Sequence, residues 1–135
     1  KWGSNSDVSN MAVIKLAAYK ISNNKKYLAS VQGDIDYMLG RNATGYCFVT
    51  GYGSKHVMHI HHRPSGADGI TEPYPGFLAG GPNTIVLNDC PEITRSKFPA
   101  KSFSDAECSY STNEVAINWN APLFFVLGAM DALNR

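Results

Sequence analysis

Residues 113–135 read NEVAINWNAPLFFVLGAMDALNR, a run that is apolar on nearly every side, with its polar residues gathered in the first turns. A helix that is apolar all round has to be buried all round. A chain of 135 residues with only two other helical stretches can hardly enclose one. The run therefore predicts a buried helix in a helical assembly larger than these residues. Pro122 should interrupt or kink it, unless helix starts afresh there.

The stretch before it, residues 103–121, reads FSDAECSYSTNEVAINWNA. It places one acid, Asp105, in a polar segment and a second, Glu114, where that segment turns apolar. Two carboxylates so placed suggest acid/base chemistry. Ser111-Thr112-Asn113-Glu114 also has the S-x-x-E form of a capping box, which predicts that Glu114 lies in the first helical turn and reaches back to the helix start. The two readings make opposite demands, because a cap requires an ionised Glu114 and an acid a protonated one. Asp105 reads locally as an Asx-turn residue before Ala106.

Further upstream, two helices are predicted. Ser6 or Asn5 can cap the first, whose apolar positions Val8, Met11, Ile14 and Leu16 continue to Ile21 before Ser22-Asn23-Asn24 breaks the pattern. The second covers residues 25–39, with Tyr27, Leu28, Val31, Ile35, Met38 and Leu39 on one face and Gly40 as its stop. Together they make a helical hairpin. Between it and the last helix, residues 41–111 lose all periodicity and hold all 4 His of the chain. Only Phe48-Val49-Thr50 and Thr84-Ile85-Val86-Leu87 look capable of short strands. A connection of this length is either disordered or functional, and its scattered Tyr46, Phe48, Tyr52, Tyr74, Phe77, Phe98 and Phe103 argue for order.

Composition narrows the partners. With 44% hydrophobic and 17% charged residues the chain is globular. A net charge of +1 and the absence of any basic run give no case for nucleic acid or an anionic membrane surface. No stretch has the length of a bilayer span. Cys47, Cys90 and Cys108 lack a C-x-x-C spacing; Cys90 and Cys108 could pair in an oxidising compartment, and free buried thiols fit equally well. His56, His59, His61 and His62 are closely spaced, yet no Cys or carboxylate stands among them at a recognised ligand spacing, so no metal is assigned. Asn42-Ala43-Thr44 fits a glycosylation sequon.

At this point the residues carry a resemblance. Phe48-Val49-Thr50-Gly51-Tyr52-Gly53 followed by Ile60-His61-His62-Arg63, and Phe103, Asp105, Tyr110, Glu114, Ala116, Asn120 and Ala121 at their spacing, resemble the two signature regions of glycoside hydrolase family 9 cellulases. Tyr37-Met38-Leu39-Gly40-Arg41-Asn42 and Gly80-Gly81-Pro82-Asn83 are similar to the family as well. Cys47 departs from the usual Ser, Thr or Val, and Trp119 stands where relatives often have Tyr. Nothing before Gly40 resembles the family's Asp-rich motif, which supplies the general base.

The resemblance implies an all-α fold, the C-terminal part of an (α/α)6 barrel with long active-site loops, residues 1–135 being the C-terminal segment of a single catalytic domain whose N-terminal part lies elsewhere. It implies hydrolysis of internal β-1,4-glucosidic bonds in cellulose or related β-glucans with inversion, or, for the chain on its own, a glucan-binding piece without turnover. Glu114 resembles the family's general acid, with Asp105 in a supporting role and His61 and Arg63 binding the glucosyl unit near the cleavage point. Tyr110 and Trp119 would pack on sugar faces. The expected partners are a β-1,4-glucan and the N-terminal remainder of the domain. No cofactor is required, structural calcium is known among relatives, and a polymeric substrate places the enzyme outside the cell.

Overall fold

A computed structural model describes all residues, 1–135. Three long helices carry the chain: α1 (Ser4–Ser22), α2 (Lys26–Met38) and, at the far end, α5 (Ile117–Asn134), with the short helices α3 (Arg63–Ala67) and α4 (Tyr110–Asn113) between them. No β-ladder forms. Phe48-Val49-Thr50 makes a single isolated bridge, Val49 to Leu78, and Thr84-Ile85-Val86-Leu87 makes none. β-branched residues without an alternating pattern have no partner strand to select them.

The hairpin forms and α1 packs on both α2 and α5, but α1 does so through Ser9, Ala12 and Leu16, while Met11, Ile14 and Ile21, and Leu39 after α2, are exposed. Asn23 ends α1 in the left-handed conformation with its N–H on the Tyr19 carbonyl, and Gly40 follows α2 at φ +119°. The start of α1 differs from expectation: Gly3 occupies the cap position, and Asn5 and Ser6 are buried inside the first turn. Asn5 is drawn in because its amide donates to the Ala79 carbonyl at 2.9 Å while its backbone N–H bonds Gly80 O.

The core joins Ala12 and Leu16, Val31, Ile35 and Met38, and Leu123, Val126 and Met130 to loop residues such as Phe48, Val57 and Leu78. The long connection is thus ordered, as its aromatics indicate. Asn42 shows one reason: its amide nitrogen donates to Tyr37 O and Tyr46 O, and its oxygen accepts from Thr44 and Gly45. The amide nitrogen of the sequon is fully engaged inside the fold.

The last helix departs from expectation at its start. It begins at Ile117, and it runs through Pro122 without restarting. Its burial is also one-sided: Ile117 is 90% and Phe124 83% exposed, beside exposed Phe125, Leu127 and Leu133. Two open apolar grooves of about 410 and 520 Å³ flank it and share Phe77, Asn120 and Phe124. Apolar surface of this kind marks a face that another element covers. No helix is long and apolar enough to cross a membrane.

Candidate active site

Three loop segments converge at the start of α5. Residues 77–81 lie between residues 48–50 and residues 112–115, tied to one side by Thr50 N–H to Phe77 O and Ala79 N–H to Phe48 O, and to the other by Gly80 N–H to Glu114 O and Gly81 N–H to Thr112 O. Asn120 locks the arrangement to α5, accepting the Leu78 N–H at 2.8 Å while donating to Ala116 O.

Glu114 sits where these segments meet. The capping box does not form: the helical turn of α4 closes before Glu114, which is extended at φ −61°, ψ 147°, and α5 starts three residues later at Ile117. Glu114 is therefore outside the first turn of any helix, and the dipole at a helix start does not act on it as the capping pattern implied. Its backbone is held at both ends, the N–H on Tyr110 O at 3.0 Å and the C=O by Gly80 N–H at 2.9 Å. Its half-buried side chain takes no hydrogen bond from the chain.

His61 bridges to Glu114 along the backbone, and its N–H bonds Asn113 O at 3.0 Å. Its Nδ1 lies 2.9 Å from Glu107 O. A carbonyl only accepts, so Nδ1 carries the proton and Nε2 is free for an outside donor. The ring packs edge-on to Tyr110 at 5.9 Å, and Tyr110 in turn meets Trp2 at 5.5 Å. Arg63 opens α3 with its guanidinium exposed and unpaired, a fork available to hydroxyls.

Asp105 has a different setting. Its carboxylate accepts both the Met58 N–H, at 3.0 Å, and the His59 N–H, at 2.9 Å, and the Asn113 amide at 3.2 Å. It staples the His-bearing loop to the residue before Glu114, so its ordered contacts are structural. Trp119 likewise turns to packing: its ring fills the space above two glycines, where a Cβ on Gly3 or Gly80 would come within 2.9 or 3.0 Å of it.

Sequence reasoning missed Trp2 and Asn113, the first because nothing local links it to Tyr110, the second because a buried Asn looks like any other. Asn113 donates to His59 O at 2.8 Å as well as to Asp105, and the only signal for it is its place beside Glu114.

The four histidines do not converge. His56 bonds Gly53 O and Glu72, His61 bonds Glu107 O, and His62 bonds Ser65. The hydrogen bond to Gly53 O raises the His56 pKa, helped by Glu72 and opposed by burial. The one set of metal-type donors lying close together is Cys90, Glu92 and Cys108. Cys90 and Cys108 form a disulfide, with Cα atoms 5.1 Å apart, and Cys47 is free and buried. Two sulfurs joined to each other and a single carboxylate do not fit calcium, which takes six to eight oxygens.

The family model for glycosyl hydrolase family 9 matches residues 1–127. The chain belongs to glycosyl hydrolase family 9. A xyloglucan-specific endo-β-1,4-glucanase of Bacteroides ovatus is 47% identical over 124 residues, covering 92% of this chain and 21% of that protein. A cellulose 1,4-β-cellobiosidase of Acetivibrio thermocellus is 37% identical over 140 residues, covering 98% of this chain and 15% of its own length. A solved Bacteroides ovatus family 9 structure superposes with a TM-score of 0.87 at 44% identity, over 98% of this chain and 22% of that one. The chain thus spans about a fifth or less of the length of these three relatives. Its three long helices are part of the family's (α/α)6 barrel.

Proposed function

We propose that these residues are the C-terminal segment of a family 9 catalytic domain that hydrolyses internal β-1,4-glucosidic bonds with inversion, and that they supply its general acid and one wall of the glucan cleft. The observation that carries this is Glu114: a backbone fixed on both sides holding a carboxyl with no partner of its own. Half-buried polar groups in a fold are mostly hydrogen-bonded, so a pinned, half-buried carboxyl that takes no partner from the chain is suited to act on something from outside. Glu114 would protonate the departing glycosidic oxygen, while a base on the remainder of the domain activates water on the opposite face of the sugar. His61, through Nε2, and Arg63 would hold hydroxyls of the glucosyl unit beside the scissile bond, and the Tyr110 and Trp2 rings offer apolar surface to a sugar face. Asp105 serves as the staple of the His61 loop.

Cellulose, mixed-linkage glucan and xyloglucan all carry the bond this arrangement would cut. A disulfide and a polymeric substrate both suit an extracellular enzyme. By itself, without the base, the chain would bind glucan weakly and not turn it over. The test is reducing-sugar release from a soluble cellulose derivative by the complete catalytic domain and its Glu114→Gln variant. Loss of about 100-fold or more is expected for an essential acid; comparable release from both would sink the assignment.

A further inference from the structure

The turn that precedes Glu114 is anchored by a charge that takes no direct part in the site. Asp89 and Arg95 form an ion pair at 3.0 Å with side chains 0% and 1% exposed. The second carboxylate oxygen of Asp89 accepts the Ser111 N–H at 2.9 Å and faces the Ser109 hydroxyl at 3.5 Å. Ser111, Thr112 and Asn113 are all buried, and each is fixed by hydrogen bonds. Ser111 O accepts from Asn83, the Ser111 hydroxyl donates to Val86 O, and the Thr112 hydroxyl meets that of Ser109 at 2.8 Å. Among all these contacts to residues 109–112, Asp89 alone brings a full charge.

Burial on its own would push the Asp89 carboxyl up, but hydrogen bonding from Ser111 and the charge of Arg95 outweigh it and hold the group below the usual carboxylate range. The anchor therefore stays ionised throughout the neutral range. A charge-assisted bond to a backbone N–H is about twice as strong as a neutral one. The bond is made three residues before Glu114, on a turn whose last N–H link, Glu114 N–H to Tyr110 O, passes the constraint on.

Resting on the reading of Glu114 as the general acid, we propose that Asp89, paired with Arg95, is a positioning residue that fixes the α4 turn and so aims the Glu114 carboxyl at the glycosidic oxygen. A misplacement of about 1 Å in such a group costs on the order of 100-fold in rate.

The test uses the complete catalytic domain with two substrates: a soluble β-1,4-glucan, whose leaving group needs protonation, and a dinitrophenyl β-cellotrioside, whose leaving group does not. Asp89→Asn should lower kcat on the glucan by about 100-fold with KM changed by less than about 3-fold, and lower kcat on the activated glycoside by less than about 5-fold. Glu114→Gln is measured alongside. If Glu114→Gln spares the glucan reaction, the reading of the acid itself fails; if it spares only the activated glycoside, that reading stands and the Asp89 variant is decisive. Should Asp89→Asn not fold because Arg95 is left unpaired, Asp89→Asn/Arg95→Gln, which removes both charges, is put through the same comparison. No loss, an equal loss on both substrates, or failure of both variants to fold overturns the proposal.

Discussion

Gly81 sits at φ +92°, and a Cβ there would overlap the Asn5 side chain. Asn5 cannot step aside, since its amide holds Ala79 O and it is fully buried at the start of α1. Gly81→Ala should therefore cost at least about 2 kcal/mol, from the left-handed backbone and the overlap together, and a chemical-denaturation midpoint of the catalytic domain measures it. Gly80-Gly81 could be read in the sequence as part of a family pattern, but the reason for it could not, because Asn5 is remote in sequence. Asp89 gives a second residue-scale expectation. Its pKa is lowered in the fold, so it contributes stability that is complete above the ordinary Asp value of about 3.9 and is lost as pH falls through the lower, folded value. The Tm should drop more steeply as pH falls below about 4 in the parent domain than in Asp89→Asn, and parallel profiles would show that this carboxylate is not the group responsible.

At the scale of elements, α2 and the end of α1 were legible because a single periodic face and a clear stop decide them. The start of α5 was not. Ser111 and Glu114 carry a capping signature, yet tertiary partners claim both: Asp89 takes the Ser111 N–H, Val86 O takes its hydroxyl, and Gly80 pulls the Glu114 carbonyl into an extended geometry. Local chemistry lost to contacts made across more than twenty residues. The same segment is crosslinked from behind, since Cys108 lies two residues before α4 and bonds Cys90, beside Asp89. The sequence left that pairing open, and the fold closes it. Replacing both cysteines by Ser should destabilise the domain by about 3 kcal/mol, the loop-closure value for 18 residues of separation. Because Asp89 and the Ser111 N–H both sit on this crosslinked loop pair, the double variant should also lose glucan hydrolysis before it loses its helical signal on warming; coincident losses, followed by activity and by far-ultraviolet dichroism, would show the crosslink to be remote from the site.

The whole molecule carries the sharpest mismatch between sequence and surroundings. Residues 113–135 are apolar all round in sequence, and the structure buries only the stripe through Leu123, Val126 and Met130, leaving Ile117, Phe124 and Phe125 in the open. Full burial of one Phe side chain stabilises by about 1.5–3 kcal/mol, so a face of this kind in water is a large unrealised contribution. Relatives several times longer than this chain supply the obvious covering, the other helices of the barrel. One substitution separates the two contexts. Phe124→Ser should change the stability of the isolated chain by less than about 0.5 kcal/mol, as for any exposed site, and should cost the complete domain about 3 kcal/mol or more, as for a core Phe. Denaturant titrations of the two proteins, with and without the substitution, measure both numbers. Equal small costs would mean that the remainder of the domain does not pack on α5, and the wall that this chain offers the glucan would then stand free of the residues expected to bring the base.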